Sequence, residues 1–209
     1  MTEIYLTRHG QTLWNLEKRL QGQGDSPLTE AGIEGAKLLG ERLKDIELDV
    51  IYSSPINRAL QTAKLIKGER DIKLVEEEGL MEINFGEYEG HTEEEMLSLG
   101  RGQEISKIFN GKMDVVPPKG ESLRMVYSRV KDTLDEILSR EKGKKILIVT
   151  HGTTLKTIVS YFREDNEIYH EIMGQATLTK VIEKDGKFTF EYINNGDHLS
   201  LDTNQKVGW

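Results

Sequence analysis

Apolar runs of strand length alternate with amphipathic helical stretches along this chain, and that alternation restricts it to an α/β fold with a largely parallel sheet. The runs at 4–7, 48–53, 72–75 and 145–150 read as strands. The continuous apolar sequence Ile146-Leu147-Ile148-Val149 is that of a strand buried on both faces. Helices are predicted over 30–44, 56–67, 92–99 and 122–141, and from the end of the last strand to 162. Thr29 is the expected N-cap of the first, and Ser54, before Pro55, that of the second. Thr92-Glu93-Glu94-Glu95 has the form of a capping box. Two alternating runs, 177–183 and 187–193, flank Asp185-Gly186 and predict an antiparallel hairpin closing the sheet. The expected architecture is a three-layer sandwich, one domain over 1–209, with an irregular excursion or lid at about 92–120. The stretch 100–120, with its glycines and Pro117-Pro118, reads as that excursion.

Composition narrows the functional classes. With 36 acidic against 28 basic residues, the net charge of −8 gives no general attraction to nucleic acid or anionic lipid. The basic segment 140–145 reads as a solvated helix end. Any anionic substrate must therefore be captured by local cations. The absence of cysteine excludes disulfides, thiolate metal sites and thiol catalysis. The first residues lack the pattern of a signal peptide, and no apolar run approaches the roughly 18 residues that span a bilayer. A cytoplasmic protein with no membrane or nucleic-acid partner is expected.

The chemistry-bearing residues cluster where strands end. In such sheets ligands bind beyond the carboxyl ends of the strands. Two predicted strands run into histidine followed by glycine, Arg8-His9-Gly10 and Thr150-His151-Gly152, and a third runs into Ser53-Ser54 with Arg58 just beyond. A neutral imidazole is a competent nucleophile, and a neighbouring glycine permits close approach of backbone to a ligand. Arginine's planar fork suits phosphoryl oxygens, which makes Arg8 and Arg58 candidates for a phosphate clamp. Asn15 and Gln21 supply neutral donors. A leaving alkoxide needs a proton, and Glu82, Glu87 and Glu89 all lie in one segment; local pattern does not choose among them. Burial beside Leu80-Met81 would suit Glu82 to an acid role by raising its pKa.

Five blocks in order carry a resemblance. They are Leu6-Thr7-Arg8-His9-Gly10-Gln11-Thr12 with Trp14-Asn15; Asp25-Ser26-Pro27-Leu28-Thr29-Glu30-Ala31-Gly32; Ser53-Ser54-Pro55 with Arg58-Ala59 and Gln61-Thr62-Ala63; Glu82-Ile83 with Phe85-Gly86 and Glu89-Gly90; and Val149-Thr150-His151-Gly152. In these the chain resembles the histidine phosphatase superfamily, the phosphoglycerate mutase-like enzymes, over nearly its whole length. The resemblance implies that His9 becomes a phosphohistidine and that Glu82 serves as proton donor and then activates water. It implies that Arg8, Arg58 and His151 hold the phosphoryl oxygens, with Asn15, Gln21 and Gly152 as further phosphate contacts. It implies neither a metal nor a cofactor, and a small phosphomonoester as partner.

Mutases of the superfamily typically carry arginines beside the acid glutamate and an Arg-Arg-Ser-Tyr segment before a proline run. Here Glu82 has Met81, Ile83 and Asn84 as neighbours, and 112–116 precedes Pro117-Pro118. A mutase needs extra cations to hold a doubly phosphorylated intermediate, so a phosphatase of the broad-specificity branch is expected. A phosphoglycerate mutase and a phospho-ligand binding module without turnover are the alternatives. His198 resembles a tail segment that lies near the substrate in some members. The substrate candidates are phosphorylated sugars, phosphoglycerates, phosphoserine and α-ribazole phosphate; oligomeric state stays open.

Overall fold

The computed structural model describes residues 1–165 and 168–199. Its centre is a six-stranded sheet of β1 (Thr2–Arg8), β2 (Val50–Ser53), β3 (Lys73–Glu76), β4 (Lys145–Thr150), β5 (Leu178–Lys184) and β6 (Lys187–Asn195), in the order β3-β2-β4-β1-β5-β6. The pairs β2–β3, β2–β4 and β1–β4 are parallel, whereas β1–β5 and β5–β6 are antiparallel. The predicted α/β sandwich with its closing hairpin is thus the observed fold. Asp185 and Gly186 both take positive φ, 54° and 77°, as a two-residue hairpin turn of the tighter mirror-image type requires.

Side chains alternate across the strands, and each face finds a helical layer. After the short α1 (Leu13–Leu16) come α2 (Glu30–Arg42) and α3 (Asn57–Lys67), against which Tyr5, Ile51, Leu147 and Val149 pack through Leu39, Leu43, Ala59, Ala63 and Ile66. Ile4, Leu6, Val50, Tyr52, Ile146 and Ile148 face the other way. They meet α6 (Leu123–Arg140) through Val126, Val130, Leu134 and Ile137, and α7 (Gly152–Arg163) through Leu155, Ile158 and Val159. The strand β4, whose Ile146 to Val149 have no exposure at all, is the central element, as its apolar run foretold.

Helix starts follow the predicted caps in most places. Thr29 accepts from Gly32 N at 3.0 Å and Ser122 from Met125 N at 3.2 Å. Thr92 forms a full capping box at the head of α4 (Glu93–Ser98). Two expectations need correction. Ser54 does not cap α3: that helix starts at Asn57 after Ile56, because the Ser54 hydroxyl is turned towards His151. The stretch 100–120 is not wholly irregular, since it contains α5 (Gly102–Phe109). Ile105 and Ile108, three residues apart on one helix face, are buried in the core with Met96. Among the described residues no helix is long and apolar enough to cross a membrane.

Candidate active site

The in-register carboxyl ends of the three parallel strands β2, β4 and β1 create the site. Arg8 pairs with Thr150 and Ser53 with Val149; past the ladder, His9 N donates to Thr150 O at 2.9 Å and Ser54 N to Val149 O at 3.0 Å. Residues separated by about 140 positions are thereby fixed side by side. The rings of His9 and His151 lie 5.3 Å apart between centroids. Both are buried, as are Arg8 and Arg58. Arg8, His9, Asn15, Gln21, Arg58 and Glu82 line one small pocket.

Hydrogen bonding defines the tautomer of His9. Its Nδ1 lies 2.7 Å from Gly10 O, and a carbonyl can only accept, so Nδ1 carries the proton. Nε2 is left as a lone pair and accepts from Arg58 Nε at 3.2 Å. Burial first, and then the charges of Arg58 and Arg8, hold the His9 pKa well below the ordinary imidazole value. His151 is depressed likewise, by burial and then by Arg58. Its Nε2 lies 2.7 Å from Ser54 Oγ, which itself accepts from Ile56 N. A hydroxyl has one proton to give, and among the described residues Nε2 is the one acceptor within reach of it; with Ser54 donating there, His151 Nδ1 carries the ring proton. Among the described residues, His151 Nδ1 and Arg8 Nε are buried without a partner.

Arg58 is held by backbone. Its Nη1 donates to Gly24 O and its Nη2 to Gly22 O, each at 2.6 Å, and Asp25 Oδ1 stands 3.6 Å away. The loop that presents those carbonyls is anchored by Glu89, which accepts from Gln23 N and Gly24 N at 2.8 Å and from Phe85 N at 3.1 Å. Gly22 has φ 51°, and a Cβ there would come within 2.1 Å of Glu89 Oε1. Gly10 has a packing reason as well: a Cβ there would meet Gly32 O at 2.4 Å, so its small size lets the loop sit on α2.

Glu82 enters the site beside the first turn of α7. Helix α7 starts at His151, which offers no side-chain cap, and Glu82 satisfies the open amides instead. Its Oε2 accepts from Thr153 N at 3.0 Å, while Oε1 accepts from Thr154 N, Thr154 Oγ1 and Ile83 N between 3.0 and 3.2 Å. The carboxyl therefore sits against polar backbone rather than in the apolar setting that Leu80-Met81 suggested. The backbone of its segment is clamped by Arg129, which donates to Gly79 O, Met81 O and Glu82 O. Of the other carboxylates, Glu87 is exposed and pairs with Lys119, and Glu89 faces the 22–24 loop.

Asn15 and Gln21 stand beside His9, with Thr12 Oγ1 3.0 Å from each amide oxygen. Gly152 lines a larger neighbouring cavity. His198 is not brought to this cluster: its Nε2 lies 2.8 Å from Ala176 O and its Nδ1 2.9 Å from Arg42 Nη1. Sequence reasoning missed Thr153 and Thr154, the Ser54 contact to His151, and Lys156 and Phe109 beside the pocket. The Thr153-Thr154 pair directly after His151-Gly152 was a usable signal, because the first turn of a helix exposes its amides. Among the described residues no group of three or more His, Asp or Glu is arranged to hold a metal ion.

A family model described as the histidine phosphatase superfamily, branch 1, matches residues 4–196. The chain belongs to that superfamily. A probable phosphoglycerate mutase, GpmB, of Yersinia pestis is 38% identical over 160 residues, covering 77% of this chain and 74% of the relative. The solved structure of YhfR from Bacillus stearothermophilus superposes with a TM-score of 0.90 at 35% identity, over 96% of this chain and all of the other. A phosphoserine phosphatase of Entamoeba histolytica, solved with 3-phosphoglyceric acid, gives 0.82 at 32% identity, with 96% of this chain and all of that one covered. The relatives of this superfamily member thus include both phosphatases and mutase-like proteins.

The buried neutral histidines carry a consequence for stability. On unfolding, His9 and His151 regain ordinary pKa values near 6.5, while in the folded protein they resist protonation. Below that pH the unfolded chain binds protons that the folded one does not. Stability therefore falls as pH drops from about 6.5 towards the depressed folded values, by up to about 1.4 kcal/mol per pH unit for each histidine. Urea unfolding of wild type and His151→Gln at pH 7.5 and 5.5, in buffers without phosphate, should show a shallower acid loss in the variant. Parallel losses would remove His151 from the account.

Proposed function

We propose that this protein hydrolyses small phosphomonoesters through a phosphohistidine intermediate on His9. The observation that carries the reading is the lone pair of His9 Nε2, fixed by Gly10 O and surrounded by Arg58, Arg8 and His151. The unpartnered donors Arg8 Nε and His151 Nδ1 need acceptors, and a phosphoryl group supplies them. On binding, Arg58 Nε passes from His9 Nε2 to a phosphoryl oxygen and frees the nucleophile. His9 Nε2 attacks phosphorus as the bond to the leaving oxygen breaks, and protonated Glu82 gives that oxygen its proton. Oε2 suits this role, since among the described residues Thr153 N is its one donor, whereas Oε1 meets three. The Glu82 carboxylate then takes a proton from water as the water oxygen attacks phosphorus, the P–N bond breaks, and the lone pair returns to His9. The cations hold the phosphoryl charge throughout. Asn15 and Gln21 add neutral donors at the pocket floor.

Hydrolysis is favoured over phosphoryl exchange because the sequence neighbours of Glu82 are Met81, Ile83 and Asn84, none of them the arginine that mutases of the superfamily typically carry there. A panel of phosphomonoesters ranked by kcat/KM, with phosphoglycerate isomerisation followed in parallel, tests this choice. Hydrolysis should exceed isomerisation. Isomerisation outrunning hydrolysis would make the protein a mutase, and inertness across the panel would leave a phospho-ligand binding module.

A further inference from the structure

A cavity of about 400 Å³ opens directly off the phosphate cluster. Arg8 and Gly152 form its inner end. Ile105 and Phe109 of α5 and Ile172 and Met173 of the chain before β5 give it apolar walls. Its volume lies within the range of small-molecule sites. Among the described residues one cation lines it besides Arg8: Lys156, on α7, four residues or about one helical turn beyond Gly152. Its ammonium has no ion pair or hydrogen bond among the described residues, although it is half-buried. Glu93, which also borders the cavity, is exposed at its rim and does not neutralise it.

A half-buried, unpaired ammonium close to a guanidinium is an unfavourable arrangement in isolation. Burial, and then the charge of Arg8, push the Lys156 pKa down, with Glu82 acting in the opposite sense. An anion entering the cavity would relieve both effects. The phosphoryl group is already met by Arg8, Arg58 and His151, so Lys156 is available for a second charge one helical turn away.

We infer that Lys156 is a specificity-determining residue that selects phosphomonoesters whose leaving group carries a second anionic group on a compact apolar frame. Ile105, Phe109, Ile172 and Met173 contact that frame, and Lys156 binds the anion. The inference rests on the phosphatase reading for the position of the phosphoryl group. A charge-assisted contact of this kind corresponds to about 10- to 100-fold in affinity.

The test compares phenyl phosphate with 3- and 4-carboxyphenyl phosphate. Turnover is measured with the wild type, and binding by calorimetry in the non-reacting His9→Ala background, each with and without Lys156→Met. Wild type should favour one carboxylated ester by at least about tenfold in kcat/KM and in affinity. Lys156→Met should reduce that ratio towards one, and Lys156→Arg should restore most of it. A purely structural role would weaken all three esters alike and leave the ratio unchanged, which would overturn the assignment. Lys156→Gln replaces the Met variant if circular dichroism shows that the latter is unfolded. Preferential binding that depends on Lys156 without turnover of any ester would refute the phosphatase reading and keep the anion site. Turnover without a Lys156-dependent preference would do the reverse.

Discussion

Replacing His9 by alanine should lower kcat on an aryl phosphate by about 10⁴- to 10⁶-fold, the loss typical of removing a covalent nucleophile. The size follows from the geometry, because no neighbouring group can take over. His151 is the other imidazole at the site, and its Nε2 is occupied by Ser54 Oγ. Its remaining nitrogen is a donor, not a lone pair, in the pattern of bonds that satisfies Ser54. Rapid quenching with labelled substrate gives an independent reading: wild type should carry acid-labile phosphate on His9, and His9→Ala should carry none. In His151→Ala the label should still appear on His9, more slowly. Label found on His151, or a His9→Ala variant keeping a tenth of wild-type turnover, would sink the mechanism.

Glu82→Gln should have the second-largest effect, about 10²- to 10⁴-fold on alkyl phosphates, where proton donation to the leaving oxygen is essential. The drop should be smaller on 4-nitrophenyl phosphate, whose leaving oxygen departs without help, and phosphoenzyme should accumulate because water is no longer activated. The comparison matters because Glu82 also caps α7 through Thr153 N and Thr154 N. An amide in its place turns an NH₂ group towards those donors and costs about 1–3 kcal/mol of stability. A structural loss of that kind reduces both substrates equally; a lost acid does not. Equal reductions would reassign Glu82 to a capping role. Glu87→Gln is the matched control: that carboxylate is exposed beside Lys119, and turnover should be unaffected.

The histidine, arginine and strand pattern was legible because it depends on short-range signals. Apolar runs of strand length named β1, β2 and β4, and the residues just past each run are the ones the fold brings together at the candidate site. Helix α5 was harder, since Gly102 opens its eight residues, Gly100 and Gly111 lie on either side, and the stretch looks like a loop. Its stability comes from burying Ile105 and Ile108 in the core, which no local propensity expresses. Lys156 was likewise unreadable, because a lysine on a helix is ordinarily a solvated charge; only the cavity beside it makes it informative.

The sequence by itself determined the order of the strands and of the long helices, the absence of thiol chemistry, and which residue types meet at the strand ends. The pattern of polar residues after apolar runs is sufficient for that, since a parallel sheet aligns its carboxyl edges. Tertiary structure alone decided the state of those residues. Local pattern left three glutamates in one segment equivalent, and the resemblance pointed to Glu82; their physical difference came only when Glu82 met the first amides of α7, Glu89 met the 22–24 loop and Glu87 met solvent. Arg58, by position an exposed helix charge, is 1% accessible and bound to two backbone carbonyls. The tautomer of His9 and its depressed pKa arise from burial and from charges supplied by other elements. Such properties belong to the packed arrangement, because burial and long-range hydrogen bonds exist only when distant segments are brought together.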